Sequence, residues 1–130
     1  MTPEQKIKHL VLNKIAQWAK LPLPAVTDEN IDAMFDEQDD TQDAINEIRE
    51  GQVETGIDAQ WSRHYESKAV AAKMADGSWV GWTYWYGGGK YGEPEAIDWM
   101  DEAYDLECVE EEKVVIVRTF TIKSDEASKA

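Results

Sequence analysis

His64, Glu66 and Lys68 alternate along one stretch of this chain, and alternate residues of an extended strand share a face. An imidazole beside a carboxylate and an ammonium can hold and move a proton. Downstream, Asp76-Gly77 predicts a two-residue hairpin turn. Counting outward from it sets Ala75 against Ser78, Ala71 against Trp82, Ala69 against Tyr84 and Lys68 against Trp85. In that register Gly89 and Gly87 lie across from His64 and Glu66, with Thr83 nearby, so backbone floors a hollow and Trp85 stacks on Lys68. The glycine loop after the strand adds Lys90 and the ring of Tyr91. His64, Glu66, Lys68, Thr83, Trp85, Lys90 and Tyr91 are therefore the candidate ligand or interface residues, none with an assigned catalytic role. An ordinary solvated strand face shows the same alternation, so the pattern alone does not make an enzyme.

Other motifs carry less. Gly87-Gly88-Gly89-Lys90 lacks the phosphate-loop spacing, no Ser or Thr follows the lysine, and the acids after it repel an anion. A calcium loop starting at Asp36 would place Thr41 where the sharp-turning glycine belongs. His9, His64 and the lone Cys108 do not form a zinc-ligand spacing, and two histidines offer no recognisable Ser/His/Asp set. The expectation is no metal and no cofactor.

Charge is the stronger signal. The formal net charge is −14 over 130 residues, which disfavours direct contact with nucleic acid or an anionic membrane. Residues 28–54 hold eleven acids against the single base Arg49, and residues 93–112 hold ten acids and no base. Six acids and twelve bases remain for the rest of the chain. Solvated helix faces account for such runs in most proteins. The sharper expectation is a non-enzymatic protein-interaction module, a modulator or inhibitor of another macromolecule, with one acidic face imitating a phosphate backbone. The alternative is a small-ligand binder or enzyme built on the hollow beside the tryptophan-rich hairpin. One cysteine cannot form an internal disulfide, and neither a leader nor a membrane-spanning run is visible. The expected setting is the cytoplasm, the expected partner another protein, and the oligomeric state is left open.

These residues need elements to position them. Thr2-Pro3-Glu4-Gln5 predicts a capped helix with Ile7, Leu10, Val11, Ile15, Trp18 and Ala19 inward, ended by Pro22 and Pro24. Short helices follow from Thr27 or Asp28 and over 41–50, with Gly51 as a stop. Val53 lies on a loop or a short edge strand. Strands over 61–74 and 79–86 make the hairpin, Glu93-Pro94 opens a helix over 94–107, and the β-branched run 113–122 predicts a final strand reached by a crossover. The expected fold is α+β in one domain: helices over 1–51, sheet plus helix over 52–123, and a frayed tail over 124–130.

Overall fold

The computed structural model describes residues 1–123; the expected frayed tail lies outside them. Three helices pack on a four-stranded, wholly antiparallel sheet, so the α+β class holds. Helix α1 (Pro3–Trp18) opens on the expected capping box: the Thr2 hydroxyl accepts from Gln5 N–H at 3.2 Å, and Gln5 Oε1 accepts from Thr2 N–H at 2.9 Å. The prolines do not end it. Leu21 N–H donates to Ala16 C=O and Lys20 N–H to Gln17 C=O, a Schellman motif with Lys20 at φ 55°, and Pro22 merely follows. Helices α2 (Ile31–Glu37) and α3 (Gln42–Ile48) are single short pieces that pack on α1. Gly51, at φ 75°, ends the α3 turn as expected.

Strand β1 (Val53–Glu54) edges β2 (Glu66–Lys73), which pairs with β3 (Trp79–Tyr86), and β3 with β4 (Tyr104–Leu106). The hairpin is real but its register is one residue away from the expected one. Met74 C=O accepts from Gly77 N–H at 3.0 Å and Met74 N–H donates to Ser78 C=O at 2.8 Å, so the loop is Ala75-Asp76-Gly77, with Gly77 at φ 89°. This is the three-residue loop whose last position needs a left-handed backbone, and glycine supplies it. Asp76 Oδ1 accepts from Ser78 N–H and Oγ, fixing the longer turn. Lys68 consequently faces Tyr84, Val70 faces Trp82 and Ala71 faces Gly81. Residues 61–65 leave the ladder, because Ser62 Oγ turns the chain by accepting from the N–H groups of His64 and Tyr65.

Two further expectations fail. The helix over 94–107 is replaced by short 3₁₀ turns, Pro94–Ala96 and Met100–Glu102, and then by β4. A continuous helix would set Asp98 against Glu102 and Asp101 against Asp105, like charges one turn apart with no base among them. The strand over 113–122 does not form, and with it goes the parallel crossover: from 107 to 123 the chain has neither helix nor ladder.

Val70, Ala72, Val80 and Trp82 line the sheet face that meets Ile7 and Val11 of α1 and Ala44 of α3. Trp82 is fully buried, its ring centroid 5.2 Å from that of Trp99. Burying one such indole contributes about 4–6 kcal/mol of gross transfer free energy. On the opposite face Tyr104 and Leu106 lie over Gly81, where an added Cβ would sit 2.6 Å from Leu106 Cδ1. A side chain at position 81 would push β4 off the sheet.

Candidate functional site

The structure divides the residues that the sequence groups together. His64 and Glu66 border a shallow hollow of about 470 Å³ that also takes in Trp61, Arg63 and Tyr86. Lys68, on the same strand face as Glu66, reaches across to the edge strand, where Nζ meets Glu54 Oε1 at 2.9 Å. That hydrogen bond and charge hold the Lys68 pKa above the usual lysine value, and its ammonium lies 5.3 Å over the Tyr86 ring. Thr83 and Trp85 belong to the other face of β3 and are buried. The expected stacking of Trp85 on Lys68 is therefore replaced by Tyr84 and Tyr86, whose rings stack at 5.4 Å. Lys90 stands 5.6 Å over Tyr91 on the exposed glycine loop, away from the hairpin faces.

The glycine loop has a packing reason. A Cβ at Gly88 would lie 2.5 Å from Tyr65 Cε1, and one at Gly92 would lie 2.7 Å from Gly87 O. The Tyr65 hydroxyl also accepts from Glu93 N–H at 3.2 Å. The loop is a side-chain-free passage around the Tyr65 ring, held at its far end by that hydroxyl.

A hollow of similar size lies elsewhere. α1, α3 and the two 3₁₀ turns enclose a groove of about 460 Å³ lined by Glu4, Gln42, Ile45, Glu95, Ala96, Ile97, Asp98, Trp99, Met100 and Asp101. A second hollow of about 440 Å³ adjoins it through Glu95 and adds Asp43, Asn46, Glu47, Arg49 and Glu50. The two acid-rich segments, far apart in sequence, thus meet across one surface. Its apolar floor is Ile45, Ile97 and Met100. Arg49, the cation at its border, is turned inward: Nη1 donates to Trp85 C=O at 2.8 Å, and the guanidinium lies 5.0 Å over the Tyr84 ring. The Arg49 carbonyl in turn accepts from Trp82 Nε1 at 2.8 Å. Carboxylates around an apolar floor suit a lysine or arginine side chain, whose methylene stem needs apolar contact and whose head needs charge.

Sequence reasoning located both acidic runs but not their meeting. The placement of Glu95, Asp98 and Asp101 depends on the chain turning sharply at Pro94 and Met100 so that Trp99 docks on Trp82, and charge counting carries no trace of that. A smaller hollow of about 240 Å³ holds His9, Met74 and Asp76. Burial lowers the His9 pKa below the usual histidine value, against a weaker upward pull from Asp76. Among the described residues no three histidines, cysteines or carboxylates gather as a metal site, and no helix is long and apolar enough to cross a membrane. The chain matches no protein-family model, no curated protein and no solved structure.

Proposed function

We propose that this chain is a non-enzymatic interaction module whose acidic groove receives a basic segment of another protein. One observation carries the reading: Glu4, Asp43, Glu47, Glu95, Asp98 and Asp101 surround one continuous surface, and the arginine on its border is engaged with Trp85 and Tyr84. Of these acids Glu4 alone has an ion pair among the described residues, with Lys8 at 4.0 Å. A partner that grips a phosphate backbone with lysine and arginine carries cations for the others, so occupation of such a protein's nucleic-acid groove is the form of modulation proposed. Small-ligand chemistry in the hollow at His64 and Glu66 has less support, since Thr83 and Trp85 lie on the other sheet face.

The test is calorimetric titration of the full chain with a synthetic peptide of alternating arginine and leucine, at low and at high salt. The reading expects saturable binding that weakens about tenfold or more between 50 and 300 mM salt, as screening shortens the reach of each charge. Glu95→Lys with Asp98→Lys abolishes it, whereas His64→Ala leaves it unchanged. Binding that survives the double reversal, or that ignores salt, removes the groove from consideration.

A further inference from the structure

Past β4 the chain leaves the domain as an arm. Residues 107–123 have no helix, turn, bend or ladder, and every one is exposed. Within the arm, Val114, Val115, Ile116, Val117, Phe120 and Ile122 are between 71% and 99% exposed. Val114, Ile116, Phe120 and Ile122 fall on one side of an extended chain, and Val115, Val117, Thr119 and Thr121 on the other. Such a β-branched, apolar run is a strand lacking a sheet, and water is a poor surrounding for it.

The missing sheet edge is also present. β4 is one of the two edge strands of the sheet, with β1, of only two residues, at the other side, so among the described residues the outer side of β4 has no neighbouring strand. An unpaired edge is a template for a further strand. The arm does not reach its own β4 by folding back, because Glu107, Glu110, Glu111 and Glu112 stand between them, and like charges hold a linker extended. Charge then selects the partner. Lys113, Arg118 and Lys123 are the arm's only charged groups from 113 to 123, while β4 carries Asp105 and is flanked by Glu107 and by Glu102, which ends the preceding 3₁₀ turn and accepts from Gln60 Nε2 at 3.0 Å. Asp105 keeps an ion pair with Lys6 at 2.6 Å; Glu102 and Glu107 form none among the described residues. Two arms paired with each other would oppose cation to cation. An arm laid on the β4 edge meets acid.

We infer that residues 113–122 form an intermolecular strand that adds to the β4 edge of a second copy of this chain, by reciprocal exchange about a two-fold axis. Each arm fills the other copy's edge, so the assembly closes at two chains. None of Glu102, Tyr104, Asp105, Leu106 and Glu107 lines the acidic groove, and the readout here is mass rather than peptide binding.

Light scattering on the full chain over about 1–200 µM, a span bracketing ordinary dimer affinities, with amide hydrogen exchange on the same samples, decides the matter. The expected result is a mass of twice 14.8 kDa, with amides of 113–122 protected in the dimer. Val115→Pro with Ile116→Pro and Val117→Pro removes at least one ladder donor whichever side of the arm faces β4 and raises the dimer dissociation constant about 100-fold or more. Glu95→Lys with Asp98→Lys leaves the dimer intact. A monomer at every concentration overturns the inference, whether its arm amides are protected (pairing within the chain) or not. So do masses above two chains, a dimer indifferent to the prolines, and a dimer split by the groove reversals, which would make the groove the arm's receptor.

Discussion

Arg49→Met tests whether the one base of the first acidic segment serves the fold. Methionine keeps an apolar stem of similar length and removes the guanidinium. The hydrogen bond from Nη1 to Trp85 C=O is charge-assisted and half-buried, which places its loss toward the lower part of about 1.5–3 kcal/mol. The contact 5.0 Å above Tyr84 adds about 0.5–1 kcal/mol. The sum, about 2–3 kcal/mol, is a large share of the ~5–15 kcal/mol that holds a domain of this kind. At this chain length it lowers Tm by about 6–12 °C. Urea titration followed by the fluorescence of Trp82, Trp85 and Trp99 measures it. Arg49→Lys recovers less than half of the loss, because an ammonium lacks the planar fork that bonds the carbonyl and covers the ring together. In a cycle with Tyr84→Leu the coupling is about 0.5–1 kcal/mol. A loss below about 0.5 kcal/mol, near the limit of resolving a surface substitution, together with strict additivity, would refute the structural role. Peptide binding gives an independent check: deleting the border cation deepens the negative potential, so affinity for a basic peptide does not fall unless the groove collapses.

Two other perturbations follow from local geometry. Gly51 and Gly56 share φ 75°, but a Cβ at Gly51 would lie 2.6 Å from Val70 Cβ while at Gly56 it meets nothing within 4 Å. Gly56→Ala is therefore expected to cost only the left-handed penalty of about 1–2 kcal/mol, and Gly51→Ala about 1–3 kcal/mol more; equal losses in urea unfolding would show that β2 yields freely to α3. The Asp76 pKa is held below its ordinary 3.8 by hydrogen bonds from the Ser78 hydroxyl and N–H. A lowered carboxyl contributes stability that is complete above 3.8 and lost as pH falls through the folded value, so the wild-type urea midpoint declines in that window and Asp76→Asn flattens the decline, with identical profiles counting against the turn.

The aromatic-rich run 79–86 after Asp76-Gly77 was enough to place β3, and Thr2-Pro3 enough to place α1, because both signals are local. The hairpin register was not legible, since Asp-Gly suits either a two-residue loop or a three-residue loop with glycine last. The choice is made by Asp76 capping Ser78, a side-chain bond of the kind that pattern counting ignores. One residue of difference carried Lys68 from Trp85 to Tyr84 and left Thr83 and Trp85 on the opposite face, which is why the expected seven-residue site separates. The segment 94–107 reads as a helix because Pro94 and an apolar stripe are both present. Its like charges and the docking of Trp99 on Trp82 and of Tyr104 over Gly81 favour short turns and a strand instead. At 113–122 composition predicted a strand that does not form, because propensity describes one chain segment and a ladder needs two.

The bases of the helices and sheet show why the groove's charge is the part that needs explaining. Lys6 pairs with Asp105, Lys8 with Asp32 and Lys68 with Glu54, each tying two elements together for about 0–1 kcal/mol. None of the ion pairs among the described residues involves Asp43, Glu47, Glu95, Asp98 or Asp101. Asp43 and Glu95 stand in first turns, where a helix N-terminus favours a carboxylate. Glu47, Asp98 and Asp101 have no ion pair among the described residues and add self-repulsion over a screening distance of about 8 Å. A cation from outside relieves that repulsion and covers the apolar floor of Ile45, Ile97 and Met100 with its methylene stem. Ion pairing thus accounts for Lys6, Lys8 and Lys68, and under the proposed reading the groove acids serve binding.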